Sequence, residues 1–363
     1  MKIVHTEWIR TKGGQAMRVL EDLRIIQELG HTPLLACRKE SWLYEEAQNR
    51  GFEVHAISFG HLADPKAYLQ MFRLIHDKNI DIVHTHSSKD SYPATYAAKL
   101  LGKKVVRSRH IELTKKPGHL FRLADAIVTT GEKVRVQLIK EGIDPDKIVS
   151  IPTCPDPARF SPDPKRREKI RKEYGIAEND IVIGSMAGSG LRKRGRALVE
   201  MMTNIRQNDP KAKLLLAGDA RGDAGQKMER LIQEKNLQDC VKFVGYVEPE
   251  IFLDAIDIYA CPSSQEGLPQ ALMQAMMMGK ACISTDVGSI ADLDVEKNML
   301  LIEKDDLATF AHTLNRLVND RRLREELGTK NRRIALERFS YERMKAKTAA
   351  LYESLTADRR GRA

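Results

Sequence analysis

Short apolar runs alternate with longer amphipathic stretches along the whole chain. In the first half the runs fall at Lys2–Thr6, Pro33–Ala36, Val54–Ile57, Ile82–Thr85, Lys104–Arg107, Ala126–Thr129 and Ile148–Ile151. In the second half they fall at Ile181–Met186, Lys213–Ala217, Val241–Val244, Asp257–Cys261, Ala281–Ser284 and Met299–Ile302. Brief, mostly apolar segments separated by helical patterns predict parallel strands covered on both faces. The stretch after the first run carries Val19, Leu20, Leu23, Ile26 and Leu29 at roughly the 3.6-residue period of a helix. Gly30 then stands where a left-handed cap is wanted.

Between the two series the texture changes. Pro152, Pro155, Pro157, Pro162 and Pro164 crowd together. Proline lacks the backbone donor and fixes φ, so this stretch is neither helix nor central strand. It is the expected linker, followed by a basic helical run from Lys165 to Lys172. The reading is an α/β protein of two doubly wound, Rossmann-like domains, with residues 1–164 in the first and 165–340 in the second. Residues 341–363 form a C-terminal helix that packs back on the first domain, with a tail fraying from Asp358. Open parallel sheets bind ligands at the carboxyl ends of their strands, and a cleft between two such domains is the expected site.

Composition narrows this. The chain has 363 residues, 42% of them apolar and 30% charged, which suits about two globular domains and excludes a disordered chain. No stretch approaches the ~20 apolar residues of a bilayer span, and the opening MKIVHTEWIR does not read as a secretory signal. A cytoplasmic location is expected. Cys37, Cys154, Cys240, Cys261 and Cys282 are scattered and odd in number, so buried free thiols are expected rather than a zinc site or disulfides. Sixty Lys and Arg against 50 Asp and Glu leave a net charge of +10, which suits anionic partners. Both halves share the excess, and no zinc finger or RNA-binding signature is present, so nucleic acid is not an expected partner.

Two loops could carry chemistry. Gly13-Gly14 lies between the first strand and the first helix. Glycines there let the backbone approach a phosphate at the helix N-terminus. The pattern is not GxGxxG, which argues against a nicotinamide dinucleotide. The second loop runs from Ser263 through Glu266, Gly267, Leu268, Pro269 and Gln270 to a helix carrying Gln274. Gly267 frees the turn, Pro269 suits the first helical position, and the N–H groups of Leu268, Gln270 and Ala271 could hold a phosphate. Glu266 could hold sugar hydroxyls, or simply cap the helix from solvent. Met273, Met276, Met277 and Met278 on that helix read as core packing.

This second segment resembles the signature of family 4 retaining glycosyltransferases, the "group 1" glycosyltransferases. Gly13-Gly14 with Arg18-Val19-Leu20, Asp81-Ile82-Val83-His84-Thr85-His86-Ser87, Val106 to His110, Ile151 to Phe160, Leu214 to Gly218, Val244 to Val247 and Thr285 to Ser289 resemble further family motifs in the same order. The resemblance covers nearly the whole chain. It implies the GT-B fold, with an acceptor-binding first domain, a second domain that takes the nucleotide sugar, and the donor in the cleft between them. The implied reaction moves a sugar from a nucleotide-diphosphate donor, a UDP-sugar rather than a GDP- or ADP-sugar, to a hydroxyl of a glycan or lipid-linked acceptor. Cell-envelope polysaccharide or lipopolysaccharide synthesis is the implied setting.

The resemblance implies catalytic roles for Glu266, Arg192, Arg194 and His110, and donor contacts from Gly13, Gly14, Gly267, Leu268, Pro269, Gln270 and Gln274. No metal is implied, and no DxD motif is present. The diphosphate-binding stretch is Gly188-Ser189-Gly190-Leu191-Arg192-Lys193-Arg194-Gly195, in which Arg192 and Arg194 best match the family cations. The family's E-x7-E pattern is altered here, with Glu266 first and Gln274 second. Thr153-Cys154 replaces Asn-Gly at the linker, and Ser289 replaces a glycine. These departures keep open a non-catalytic GT-B subunit or a nucleotide-sugar epimerase on the same fold. His84 and His86 are read as facing opposite sides of their strand, with structural roles. Lys99, Lys103, Lys104, Arg107, Arg109, Lys115 and Lys116 are read as a basic face that could meet an anionic acceptor or the inner membrane surface.

Overall fold

The computed structural model describes residues 1–113, 115–187, 190–218 and 222–360. All thirteen expected runs form strands. They are β1 (Lys2–Glu7), β2 (Thr32–Cys37), β3 (Glu53–Ala56), β4 (Ile82–Thr85), β5 (Lys104–Arg109), β6 (Ala126–Thr129) and β7 (Ile148–Ser150), then β8 (Ile181–Ser185), β9 (Ala212–Ala217), β10 (Val241–Gly245), β11 (Ile258–Cys261), β12 (Ala281–Thr285) and β13 (Leu300–Ile302). The first seven make one parallel sheet in the order β3-β2-β1-β4-β5-β6-β7. The other six make a second parallel sheet, β10-β9-β8-β11-β12-β13.

Successive strand residues point to opposite faces, and each sheet buries both. In the first sheet Val4, Leu34, Val83 and Val105 pack against Met71, Ile75 and Ala98, while Leu35 on the other face meets Leu20, Leu23 and Leu43. In the second, Val182 joins Phe252, Leu272 and Met276, while its neighbour Ile183 joins Val199, Leu214 and Phe310. Each such side chain contributes about 1.5–3 kcal/mol relative to an exposed one.

The crossover helices start and stop where local chemistry dictates. Helix Gly14–Glu28 buries Val19, Leu20, Leu23 and Ile26, and Gly30 beyond it adopts φ +75. Helix Pro164–Tyr174 is capped by the Asp163 carboxylate, which accepts from Lys165 N and Arg166 N, and it ends at left-handed Gly175. The five cysteines are buried free thiols.

The chain divides into two compact units. One comprises Met1–Thr153 with the residues from Glu342 onward, the other Cys154–Tyr341. The last helix, Tyr341–Arg360, lays Met344, Thr348, Tyr352 and Leu355 into the first unit. Lys345 pairs with Glu28 at 2.8 Å, and Lys347 Nζ donates to the Ser150 carbonyl at 3.1 Å. The helix continues through Asp358 to Arg360, and residues 361–363 lie outside the described residues.

Candidate active site

Each sheet reverses its strand order once, between β1 and β4 in the first unit and between β8 and β11 in the second. The loops leaving the carboxyl ends of those strands diverge there, which opens the crevice where such sheets bind ligands.

In the first unit β1 ends in Glu7, and the chain runs through Gly13 into helix Gly14–Glu28. Gly13 is extended, and a Cβ built on it would meet nothing within 4 Å, so a ligand can approach the backbone closely. Glu7 is buried and accepts from Trp8 N, Ile9 N, Ser87 Oγ and Gln15 Nε2, the last at 2.6 Å. It thereby ties the start of the glycine loop to the start of the helix and to the residue after His86. Burial raises its carboxyl above the usual range, against those same hydrogen bonds. Asp90, fully buried in the first turn of helix Ser88–Leu100, is raised further, first by burial and then by the Glu7 charge. Thr6 Oγ1 donates to Asp90 at 2.6 Å.

Beside these acids lie four histidines. His5 and His84 are register partners on β1 and β4, with ring centroids 4.4 Å apart. His86 follows β4 and stacks on His84 at 4.6 Å and on His110 at 5.3 Å. Burial lowers all four, His5 and His110 to about 3. His84 and His86 share one face at the carboxyl end of β4, contrary to the opposite faces expected. Residues two apart in a strand project the same way. His5, His84 and His86 bring ring nitrogens within 4.8 Å of one another, a grouping of the size a cation needs. Those nitrogens are already paired with each other, with Tyr352 and with Ser108.

In the second unit the loop after β8 enters a short 3-10 turn, Leu191–Lys193, and then helix Gly195–Asn208. The loop after β11 runs Pro262 to Pro269, and helix Gln270–Met277 follows. The two loops are joined directly. Ser264 N donates to the Arg192 carbonyl at 2.8 Å, and the Lys193 ammonium forms an ion pair with the Glu266 carboxylate, whose side chain is only 10% exposed. Burial works against the Lys193 charge, but Glu266 outweighs it and the lysine is raised. From the other side Ser289 N donates to Gly267 O at 2.7 Å, and Thr285 Oγ1 to Ser263 O at 2.6 Å. Gly288, at φ +62, lies so close that a Cβ on it would sit 2.4 Å from Glu266 O.

The structure thus brings Glu266, Gly267 and the 191–194 turn together in the second unit, and Gly13, Gly14 and His110 to the β1/β4/β5 end of the first. The cation that meets Glu266 is Lys193, which the sequence reading passed over. Arg192 is exposed and offers its carbonyl, not its guanidinium, to the 264 loop. Arg194 is left-handed at φ 53, pairs with Asp305 and keeps a buried Nη1 with no hydrogen-bond partner among the described residues. Gly188 and Ser189 lie outside the described residues. Pro269 is the N-cap rather than the first helical residue, because its ψ of 117 is still extended; backbone bonding starts with Leu272 N and Met273 N donating to Pro269 O. Leu268 is buried, and Gln270 and Gln274 are half-buried one turn apart on the helix. Met273, Met276, Met277 and Met278 are core.

The basic run is not one face. Arg107 is buried over the Phe121 ring at 4.5 Å, and Lys99 pairs with Asp125 at 2.6 Å. Glu7 was also missed, although its place at the end of the first strand, just before the glycine loop, marks it. A cavity of ≈ 540 Å³ in the second unit lies at the other edge of the sheet, at the amino ends of β8, β11 and β12, beside Asp257 and Lys280, and not at the switch point.

Two doubly wound parallel sheets, each with polar groups at its switch point, are the α/β architecture of the GT-B class. Residues 12–159 match the family model described as Glycosyltransferase Family 4, and residues 166–334 match Glycosyl transferases group 1. The chain belongs to this family of glycosyltransferases. It is 25% identical over 346 residues to the UDP-Gal:alpha-D-GlcNAc-diphosphoundecaprenol alpha-1,3-galactosyltransferase of Escherichia coli, covering 88% of this chain and 89% of that one. It is 25% identical to the N-acetyl-alpha-D-glucosaminyl L-malate synthase of Bacillus anthracis, covering 80% and 78%. Among solved structures, Anabaena HepE in complex with UDP superposes with a TM-score of 0.86 at 17% identity, over 98% of this chain and 100% of that one. A glycosyltransferase from Rickettsia africae superposes with a TM-score of 0.86 at 20% identity, over 98% of each chain.

Proposed function

We propose that the protein is a retaining glycosyltransferase that moves a sugar from a UDP-sugar to a hydroxyl of a lipid-linked or glycan acceptor in cell-envelope synthesis. The observation that carries this is the Lys193–Glu266 pair at the second switch point. In such a transfer the bond from the anomeric carbon to the phosphate oxygen breaks, and the diphosphate leaves with added charge. Fixed positive groups aimed at it lower the transition state most. Lys193, the orphan Nη1 of Arg194 and the first-turn amides of helix Gln270–Met277 are the groups of the second unit suited to that task. Glu266 holds Lys193 in place and offers its other oxygen to sugar hydroxyls. Gln274 accepts a ribose hydroxyl, and the leaving phosphate takes the acceptor's proton as the new bond forms on the same face. His110 and the Gly13-Gly14 loop serve the sugar and the acceptor. No metal is assigned a role.

The E. coli relative supports UDP as the base carrier and a diphosphoundecaprenol-type acceptor. Exposed Leu62, Leu69, Tyr96 and Leu100 on the first unit, with exposed Lys115 and Lys116, support contact with an anionic membrane surface at the acceptor stage. The test is UDP release from UDP-galactose, UDP-glucose and UDP-N-acetylglucosamine with a diphosphoundecaprenol acceptor. Glu266→Gln and Lys193→Met should each lower kcat by about 10²–10³-fold. Absence of both nucleotide binding and turnover with every donor would instead favour the non-catalytic subunit, which the Gln274 departure keeps as the second reading.

A further inference from the structure

The buried histidines of the first unit are joined end to end. Ser108 Oγ lies 2.8 Å from His84 Nε2, His84 Nδ1 lies 2.8 Å from Tyr352 Oη, and the same Oη lies 3.0 Å from His5 Nε2. His5 Nδ1 then lies 2.8 Å from His86 Nε2, and His86 Nδ1 lies 3.1 Å from His110 Nε2. The path leaves β5 at Ser108, passes through β4, the C-terminal helix and β1, and returns to the residue just after β5.

A neutral imidazole carries one donor and one acceptor, and a phenol hydroxyl carries one hydrogen. Burial keeps these rings uncharged and the Tyr352 hydroxyl protonated. A phenol oxygen can also accept twice, but if Tyr352 accepted from both His84 and His5 its buried hydrogen would be aimed at no acceptor among the described residues. With that hydrogen inside the chain every link runs in the same sense, and two arrangements remain. In one, Ser108 donates to His84, His84 to Tyr352, Tyr352 to His5, His5 to His86 and His86 to His110. In the other, every hydrogen is reversed. The second would leave the hydrogen of Ser108, which is 4% exposed, aimed at no acceptor among the described residues. An unmade bond at a buried hydroxyl is unfavourable, so the first arrangement wins.

We infer that Ser108, His84, Tyr352, His5 and His86 form a polarised positioning chain that fixes His110 as the Nδ1–H tautomer, its Nε2 accepting from His86. His110 then meets its ligand as a neutral hydrogen-bond donor and has no free ring nitrogen to act as a base. This rests on the reading that His110 faces the donor sugar or the nascent bond. The Tyr352 hydroxyl, contributed from far along the sequence, is the link that makes the chain continuous. The nitrogens of His5, His84 and His86 are committed to these bonds rather than to a cation.

The test is ¹⁵N NMR of the full-length protein labelled at histidine, with His110 assigned from the spectrum of His110→Gln. The Nδ1–H form of His110 is expected. Tyr352→Phe removes one oxygen and cuts the chain. It should give a mixture of His110 tautomers and lower kcat roughly tenfold or more, with the donor KM unchanged. Ser108→Ala should likewise mix the tautomers, and Ser108→Thr should restore the single form, which keeps the test open if Tyr352→Phe folds poorly. An Nε2–H His110 in the wild type, or one unmoved by both Tyr352→Phe and Ser108→Ala, overturns the inference. So does stoichiometric zinc in the purified protein that is lost in His5→Gln. Normal turnover by His110→Gln would overturn the proposed role of His110 at the donor while leaving the tautomer measurement to decide the chain.

Discussion

Gln274 stands on the helix that follows the carboxylate loop, at the second acidic position of the family pattern. A glutamine accepts one hydrogen bond from a ribose hydroxyl but lacks the charge that strengthens it. Gln274→Glu should therefore lower the Kd for UDP, by about fivefold to thirtyfold for a gain of ~1–2 kcal/mol. Isothermal titration calorimetry reads this directly, and an unchanged Kd would remove Gln274 from the ribose. Acid sensitivity is a second residue-scale consequence. His5 stays neutral in the fold down to about pH 3, whereas an unfolded histidine charges near 6.5. Between those values the unfolded chain binds a proton that the folded chain refuses. The sign follows: the His5 contribution is complete above pH 6.5 and declines as pH falls towards 3. His5→Gln should flatten the slope of unfolding free energy in that window by about 1.4 kcal/mol per pH unit, one proton's worth. Buried Glu7 and Asp90, both raised, act in the opposite direction in wild type and variant alike. Urea unfolding at pH 4, 5 and 6 measures the difference, and parallel slopes would show that His5 is protonated in the fold.

At the scale of elements, the loop after β12 braces the carboxylate loop through backbone contact. Gly288 must be left-handed and must lack a Cβ, since both Glu266 O and Gly267 O would lie within 2.5 Å of one. Gly288→Ala should push the 266–267 turn outward, break the Lys193–Glu266 register and cost about 1–3 kcal/mol in strain. The expected result is loss of most turnover with a lowered Tm; wild-type kcat in this variant would show that the brace is dispensable. The same scale shows what was legible beforehand. The strands were legible because a buried parallel strand is a short apolar run and little else competes with it. The carboxylate loop was legible because Gly267, Pro269 and the helical spacing of Leu268, Leu272 and Met276 coincide there. The basic turn was not, because Arg192, Lys193 and Arg194 are consecutive and the 3-10 geometry alone decides which one faces Glu266. The histidine chain was hidden for a different reason. Its members are spread from residue 5 to residue 352, and only the β1–β4–β5 register with the returning C-terminal helix brings them together.

For the whole molecule, the return of the C-terminal helix to the first unit makes that unit discontinuous in sequence. Met344, Tyr352 and Leu355 are buried there, each contributing about 1.5–3 kcal/mol. The helix also supplies the hydroxyl that pairs with His5 on β1 and His84 on β4. A chain ending at Tyr341 therefore leaves two central strands with buried imidazoles opposite an empty apolar trough. The second unit, Cys154–Tyr341, keeps its own core, in which Phe252, Leu272 and Met276 lie on one side of its sheet and Phe310 on the other. Hydrogen exchange should then separate the two units. Truncation after Tyr341 should strip protection from the amides of β1, β4 and β5 by several orders of magnitude, because an opening free energy reduced by ~4 kcal/mol or more raises exchange about a thousandfold. The amides of β8, β11 and β12 should exchange as in the full chain. Equal loss in both sheets would mean that the units unfold as one. Unchanged protection in β1 and β4 would mean that the helix only lies on the surface, and the buried Tyr352 contacts would then contribute nothing to holding the first unit together.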